Sequence, residues 1–245
     1  MYEKEIEKRK SCRSYTNEPL QEEQIRKLKE LIKRVNKESN LSIELITNDE
    51  GIFDDFKKNN RAFNNVKNYF ALVGKKDDIN LKEKCGYYGE LLVLESTRLG
   101  LGTCFVGSIH DFKNIAIKIN EDEDLIVLIT VGHPQGKETF FAKIINFFTH
   151  TKNIKFSDLM IADMDAPLWF IKGVQNALLA PSSFNKHPII FTYKMGEVRA
   201  KIKENSEYAP IDLGIAKLHF ELGALNGKFI LGNNGIYTIV DYLNL

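Results

Sequence analysis

The chain has 245 residues, 43% of them hydrophobic, and a net charge of +1. That is enough apolar material for one domain or two small ones. A near-neutral balance provides no field for nucleic acid or an anionic membrane, and no apolar run is long enough to span a bilayer. The charged N-terminus does not read as a signal peptide, and three cysteines, Cys12, Cys85 and Cys104, form neither a disulfide framework nor a metal cluster. A reducing cytoplasm is the expected compartment.

A short helix over Tyr2 to Lys8 delivers the chain to Arg9-Lys-Ser-Cys-Arg13. Ile25, Leu28, Ile32 and Val35 recur at helical spacing between Gln21 and Lys37. Leu41 to Thr47 alternates like a strand with one wet face, and Asn68 to Gly74 reads as a short buried strand. A polar, helical stretch is expected around Phe53 to Phe63. Gly86 to Arg98 has the leucine content of a buried helix, capped at Leu99-Gly-Leu-Gly102. Thr103 to Gly107 and Leu125 to Val131 are strand candidates, and Asp111 is expected to cap a helix between them. Residues 136–165 read as a crossover whose Phe140, Phe141, Phe147 and Phe148 pack on the core.

After Pro167 the pattern restarts. A helix is expected from Leu168 to Ala180, a tight turn at Ala180-Pro-Ser-Ser-Phe-Asn185, a strand from Pro188 to Tyr193 and an apolar helix from Ile211 to Leu225. Asn233-Asn-Gly235 signals a hairpin between Lys228–Leu231 and Tyr237–Leu243. The two halves resemble each other. Ala62-Phe-Asn64, the strand Tyr69–Val73 and the Gly89 helix ending at Leu99-Gly100 parallel Ser183-Phe-Asn185, Ile189–Phe191 and the Gly214 helix ending at Leu222-Gly223. This order implies an internal duplication, with a first half at 1–135 and a second at 166–245, whose apolar helices pack about a pseudo-twofold axis.

Three segments suggest chemistry. Arg9, Lys10 and Arg13 place cations around the Ser11 hydroxyl, a pattern suited to phosphate because guanidinium forks match its oxygens; a solvated charged face is the ordinary alternative. Pro181, Ser182, Ser183 and Asn185 combine a fixed φ with short side chains that bond backbone or ligand, or simply join a helix to a strand. Gly102, Thr103 and Gly107 punctuate a helix-to-strand junction where glycine permits close approach of a flat ligand. Cys104 reads as an inert core thiol, and His187 carries no acid–base role.

Together these segments resemble the nitroreductase (NADH oxidase/flavin reductase) family. Arg9, Ser11 and Arg13 match its Arg-x-Ser-x-Arg opening, and Pro181-Ser-Ser-Phe-Asn185 with Pro188 matches its Pro-Ser-Ser-x-Asn-x-Gln-Pro motif, His187 replacing glutamine. Gly100-Leu-Gly-Thr-Cys-Phe-Val-Gly107 and Gly132-His-Pro134 match two further motifs. In most members the Pro-Ser-Ser turn precedes the Gly-Leu-Gly helix; its late position here is similar to the Thermotoga-type subgroup with fused halves. The resemblance implies an α+β, internally duplicated nitroreductase-like fold that mimics a dimer in one chain, Arg61-Ala-Phe-Asn64 being the decayed first-half copy of the turn.

It also implies one FMN per chain. Arg9, Ser11 and Arg13 would hold its phosphate and ribityl chain, Lys10 would lie by the pyrimidine edge, and Lys137 would add a phosphate contact. Pro181, Ser182, Ser183 and Asn185 would line the ring, while backbone near Gly102, Thr103 and Gly107 would address its N5/O4 edge. The implied activity is ping-pong, two-electron reduction of a nitroaromatic, quinone or related acceptor with NADH or NADPH as transient donor and no catalytic side chain. The alternative is a non-catalytic protein that stores FMN or senses redox state. The implied partner is a small-molecule acceptor, with neither nucleic acid nor membrane, and the implied state is a monomer (a pseudo-dimer) or a homodimer.

Overall fold

A computed structural model describes residues 2–49, 51–52, 62–107, 115–136, 154–224 and 226–239. The helical stretch expected around Phe53 to Phe63, the Asp111 cap and the phenylalanines of the crossover fall wholly or mostly outside these residues. The chain divides into two compact units. The first comprises Lys8–Leu81 and Leu91–Thr151, the second Met1–Glu7, Lys82–Glu90 and Lys152–Leu245.

The first unit is built on a four-stranded antiparallel sheet of order β1-β2-β4-β3: β1 (Ser42–Ile46), β2 (Tyr69–Lys75), β3 (Gly102–Val106) and β4 (Glu123–Gly132). Helix α1 (Glu3–Lys8), nearly all of it assigned to the second unit, precedes it in the chain. Helix α2 (Glu22–Ser39) buries Leu28, Ile32 and Val35 of the expected stripe together with Leu31, while Ile25 is only half-buried. Asn40 ends α2 in the left-handed conformation, and its side-chain neighbour Asn36 ties the turn to β1 through Ile43. In β1, Ile43 points into the core and Ser42 and Glu44 to solvent, whereas central β2 is buried on both faces from Tyr69 to Gly74. Tyr15, Val66, Tyr69, Ala71, Val106 and Leu128 form one core cluster of this unit.

The second unit carries a five-stranded sheet of order β5-β6-β7-β9-β8: β5 (Met160–Ala162), β6 (Ile189–Lys194), β7 (Glu197–Ile202), β8 (Gly227–Phe229) and β9 (Gly235–Ile239). Only the short β5 runs parallel to its neighbour. Its core is aromatic. Phe220 stacks on Phe191 at 4.8 Å and meets Phe170, Phe229 and Tyr237 edge-on at 5.8, 5.2 and 5.4 Å.

Helix α3 (Leu81–Arg98) starts five residues earlier than its leucine pattern suggests and contributes residues to both units. Helix α4 is Leu168–Leu178, and α5 (Ala209–Gly223) is buried on nearly every face, including Asp212, Lys217 and His219. Within the second unit, α3 and α5 touch backbone to backbone. A Cβ on Gly86 would lie 2.0 Å from the Ile211 carbonyl oxygen, and one on Gly214 would lie 2.0 Å from that of Glu83. Each glycine meets the residue three positions before the other, so the contact is reciprocal, as in a local twofold.

The duplication is real, but its register differs from the sequence reading. Among the described residues the orders α2-β1-β2-α3-β3-β4 and α4-β6-β7-α5-β8-β9 are the same, and so are the sheet orders β1-β2-β4-β3 and β6-β7-β9-β8. Strand β6 therefore corresponds to β1, not β2, and β2 corresponds to β7, which the sequence reading overlooked. The counterpart of the Pro181–Asn185 turn is the two-residue link Asn40-Leu41, and Ala62-Phe-Asn64 is not its decayed copy. Pairing β2 with β6 failed because both are short apolar runs; β7 alternates Val198, Ala200 and Ile202 with Arg199 and Lys201, the signal that identifies it.

Candidate functional site

Arg9 to Tyr15 has little regular structure of its own; three bridges hold it in the first unit. Ser11 pairs in parallel with Thr103, Ser14 with Asn64, and Tyr15 antiparallel with Pro134. The Cys12 amide donates to the Thr103 carbonyl at 2.8 Å, Thr16 to His133 at 2.9 Å, and Gln135 to Ser14 at 3.0 Å. The Tyr15 hydroxyl donates to the Cys12 carbonyl and lies 2.6 Å from Thr130 Oγ1. These contacts join the Arg9–Arg13 segment to both glycine-containing motifs, Gly102–Gly107 and Gly132–Pro134. Tyr15 and Thr130 are structural residues of the site that the sequence reading did not single out. Each looks like an ordinary core position, and no local spacing reveals that they meet.

The guanidinium charges of Arg9 and Arg13 are both felt at Cys104, and the Ser11 side chain hydrogen-bonds its thiol. Burial nevertheless pushes that thiol up, which fits an inert core cysteine. Burial, with the neighbouring Cys12 and Cys104, raises Tyr15 well above the usual phenol range. Lys10 is exposed, Ser11, Arg9 and Arg13 are half-buried, and the Ser14 hydroxyl oxygen is buried without a hydrogen-bond partner among the described residues. Gly107 is exposed just beyond β3, and Lys137 lies outside the described residues. Gly102 also makes room for Cys12, whose Cβ and Sγ would lie 2.6 and 2.7 Å from an added Cβ.

The Pro181–Asn185 turn belongs to the second unit. Ser183–Asn185 forms one 3-10 turn, closed by the Asn185 amide donating to the Ser182 carbonyl at 3.0 Å. Phe184, Asn185 and His187 all have φ near +50° (54°, 52° and 45°), and Phe184 is largely exposed. For phenylalanine that region costs on the order of 1–3 kcal/mol, so neighbouring contacts must impose it. The Ser182 hydroxyl accepts from the His187 amide at 3.0 Å. His187 Nε2 lies 3.2 Å from Asn185 Oδ1, and the Lys186 ammonium lies 5.8 Å from the Phe184 ring. Asp212, which the sequence reading treated only as part of a helix, accepts from the Ser183 amide and hydroxyl at 3.0 and 3.1 Å. Burial pushes the Asp212 carboxyl up to about 6 against these two bonds. A small cavity, with room for about one water, is lined by Pro181, Ser182, His187 and Asp212 among others.

Behind the turn, α3 and α5 bury charge. Lys217 Nζ lies 2.5 Å from Glu83 and donates to the Ile230 and Gly232 carbonyls, each at 2.9 Å. The Tyr87 hydroxyl donates to Glu221 at 2.6 Å. His219 Nδ1 donates to the Asn176 carbonyl, and its Nε2 lies 2.8 Å from Glu90 Oε1. Among the described residues no group of three or more His, Cys, Asp or Glu side chains could hold a metal. Among the described residues no helix is long and apolar enough to cross a membrane.

Duplicated α-β-β-α-β-β halves, with a basic segment on the Gly-Leu-Gly strand in one and a Pro-Ser-Ser-x-Asn turn in the other, define a nitroreductase-type α+β protein. The family model described as "Putative TM nitroreductase" matches residues 2–224, and the chain belongs to that family of oxidoreductases. A crystal structure of a "putative nitroreductase" from Thermotoga maritima is similar over 96% of this chain and 90% of its own, with 19% identity and a TM-score of 0.63. A "putative nitroreductase" in complex with FMN from Desulfovibrio desulfuricans matches 58% of this chain and 94% of its own, at 18% identity and a TM-score of 0.45. A "Putative NADH Oxidase" from Clostridium acetobutylicum matches 55% of this chain and 89% of its own, at 19% identity and a TM-score of 0.45. No curated protein matches.

Proposed function

We propose that the chain is an FMN-dependent NAD(P)H oxidoreductase of nitroreductase type, reducing a small-molecule acceptor by two electrons. The observation that carries this reading is that Ser11 bridges Thr103 and meets the Cys104 thiol, where the charges of Arg9 and Arg13 also act. It is supported by family membership. This donor set fits a phosphate monoester: two guanidiniums and a hydroxyl, on a segment whose backbone is bonded to a sheet edge.

In this reading Arg9, Ser11 and Arg13 bind the phosphate and ribityl end. Lys10 supplies positive charge toward the ring, and Pro181, Ser182, Ser183 and Asn185, in the second half at 166–245, are assigned to line it by the family motif alone. Bound FMN supplies the electron relay between a nicotinamide donor and the acceptor. The protein's part is binding, orientation and electrostatics. Gly102, Thr103 and Gly107 offer backbone groups, and Lys137 is assigned a phosphate contact by family resemblance alone. Nitroaromatics and quinones are the acceptor classes, and the compartment is the cytoplasm.

The test is the Arg9→Ala/Arg13→Ala double variant of the full chain. It is expected to keep its far-UV circular dichroism and lose at least 100-fold in FMN affinity, two charge-assisted contacts being worth about 3 kcal/mol or more together. Stoichiometric yellow double variant would overturn the phosphate assignment. Anaerobic bleaching of wild-type flavin by NADH or NADPH separates the enzyme from a flavin store.

A further inference from the structure

We infer that Asp212 is a positioning residue for the proposed flavin site, its carboxylate clamping Ser183 and so setting the backbone of the Pro181–Asn185 turn. The inference rests on the flavin reading for its function, but the clamp itself is geometric. Asp212 lies in the first turn of α5, is only 3% exposed, and has one oxygen, Oδ2, without a hydrogen-bond partner among the described residues.

An acid in the first turn of a helix ordinarily serves that helix's own amides and dipole. Here Oδ1 accepts instead from the amide and hydroxyl of a residue 29 positions earlier in the chain. Most of the cavity beside it is apolar, lined by Leu159, Ala177, Ile189 and Ala216, with Ser182 and His187 as the polar neighbours. Burying a charge among apolar groups is unfavourable unless hydrogen bonds offset it, and the bonds found are those to Ser183. They fix Ser183 immediately before Phe184 and Asn185, the two consecutive left-handed residues, so the unusual backbone begins where the clamp acts. Ser182 and Ser183 divide the work: Ser182 Oγ holds the His187 amide at the far end, while Ser183 is held by Asp212 at the near end.

Two variants of the full chain test this. Asp212→Leu removes the clamp and suits the apolar cavity, whereas Asp212→Asn keeps an acceptor oxygen for both Ser183 donors. The FMN dissociation constant, read by flavin fluorescence, is expected to weaken at least 10-fold in Asp212→Leu and to stay within about 3-fold of wild type in Asp212→Asn. Amide hydrogen exchange over residues 183–187, measured without flavin, is expected to quicken at least 10-fold in Asp212→Leu alone. Unchanged exchange in Asp212→Leu, or equal acceleration in both variants, overturns the clamp. Wild-type protein that binds no FMN sinks the flavin reading while the exchange result still decides the clamp; a clamp seen in exchange but with no effect on FMN affinity overturns its role at the site.

Discussion

Gly102 is where a single atom decides whether the cationic segment can lie on β3. Its missing Cβ leaves room for the Cys12 side chain, with 2.6 Å available where van der Waals contact needs more. Gly102→Ala is expected to displace Cys12 and with it Ser11 and Arg13, at a cost of about 1–3 kcal/mol. A lowered melting temperature together with reduced FMN retention would check this; unchanged values would mean that Cys12 moves aside freely. At the same scale, burial pushes the Glu221 carboxyl up to about 7 against the stabilising bonds from Tyr87 and Phe229. The folded state therefore holds a proton that the unfolded state releases near pH 4.5, so this group's contribution to stability falls as pH rises from about 4.5 to 7. Melting curves of wild type and Glu221→Gln should diverge across that window, with the variant relatively more stable at pH 8.

The α3–α5 pair shows what a helix element requires beyond its own propensity. Alanine is intrinsically better in a helix than glycine by about 1 kcal/mol. At Gly86 and Gly214, however, the facing atom is a backbone carbonyl oxygen 2.0 Å from the added Cβ, and neither helix can yield locally. Each alanine variant is expected to lose about 3 kcal/mol net as the helices are forced apart, measured by chemical denaturation; a gain would show that the pair is loosely docked. Close approach also brings Lys217 and Glu83 together, both nearly inaccessible. Lys217→Met leaves the Glu83 carboxylate buried and uncompensated, costing about 3–5 kcal/mol, whereas the Lys217→Met/Glu83→Gln pair should recover most of the loss. Strictly additive losses in that double-mutant cycle would contradict the pairing.

Across the whole molecule, the duplicated halves do not carry duplicated motifs. The link Asn40-Leu41 stands where the second half has its ten-residue connection with Pro-Ser-Ser-Phe-Asn, and no Arg-x-Ser-x-Arg precedes α4. One FMN per chain is therefore expected from the 450 nm absorbance and protein concentration of purified material. A value near two would show that each half keeps a complete site. The sequence itself determined the family motifs, the α2 stripe, the buried β2 and β4, and the duplication, because each is a local pattern imposed by helix or strand periodicity or by turn chemistry. Only the tertiary structure decided the register of the repeat, because short apolar strands are interchangeable until sheet neighbours are known. It also decided that Tyr15 meets Thr130, that Gly102 makes room for Cys12, and that Asp212 holds Ser183. Those are long-range contacts: a buried polar group acquires its meaning from its partner, and the partner's position in the chain follows no local rule.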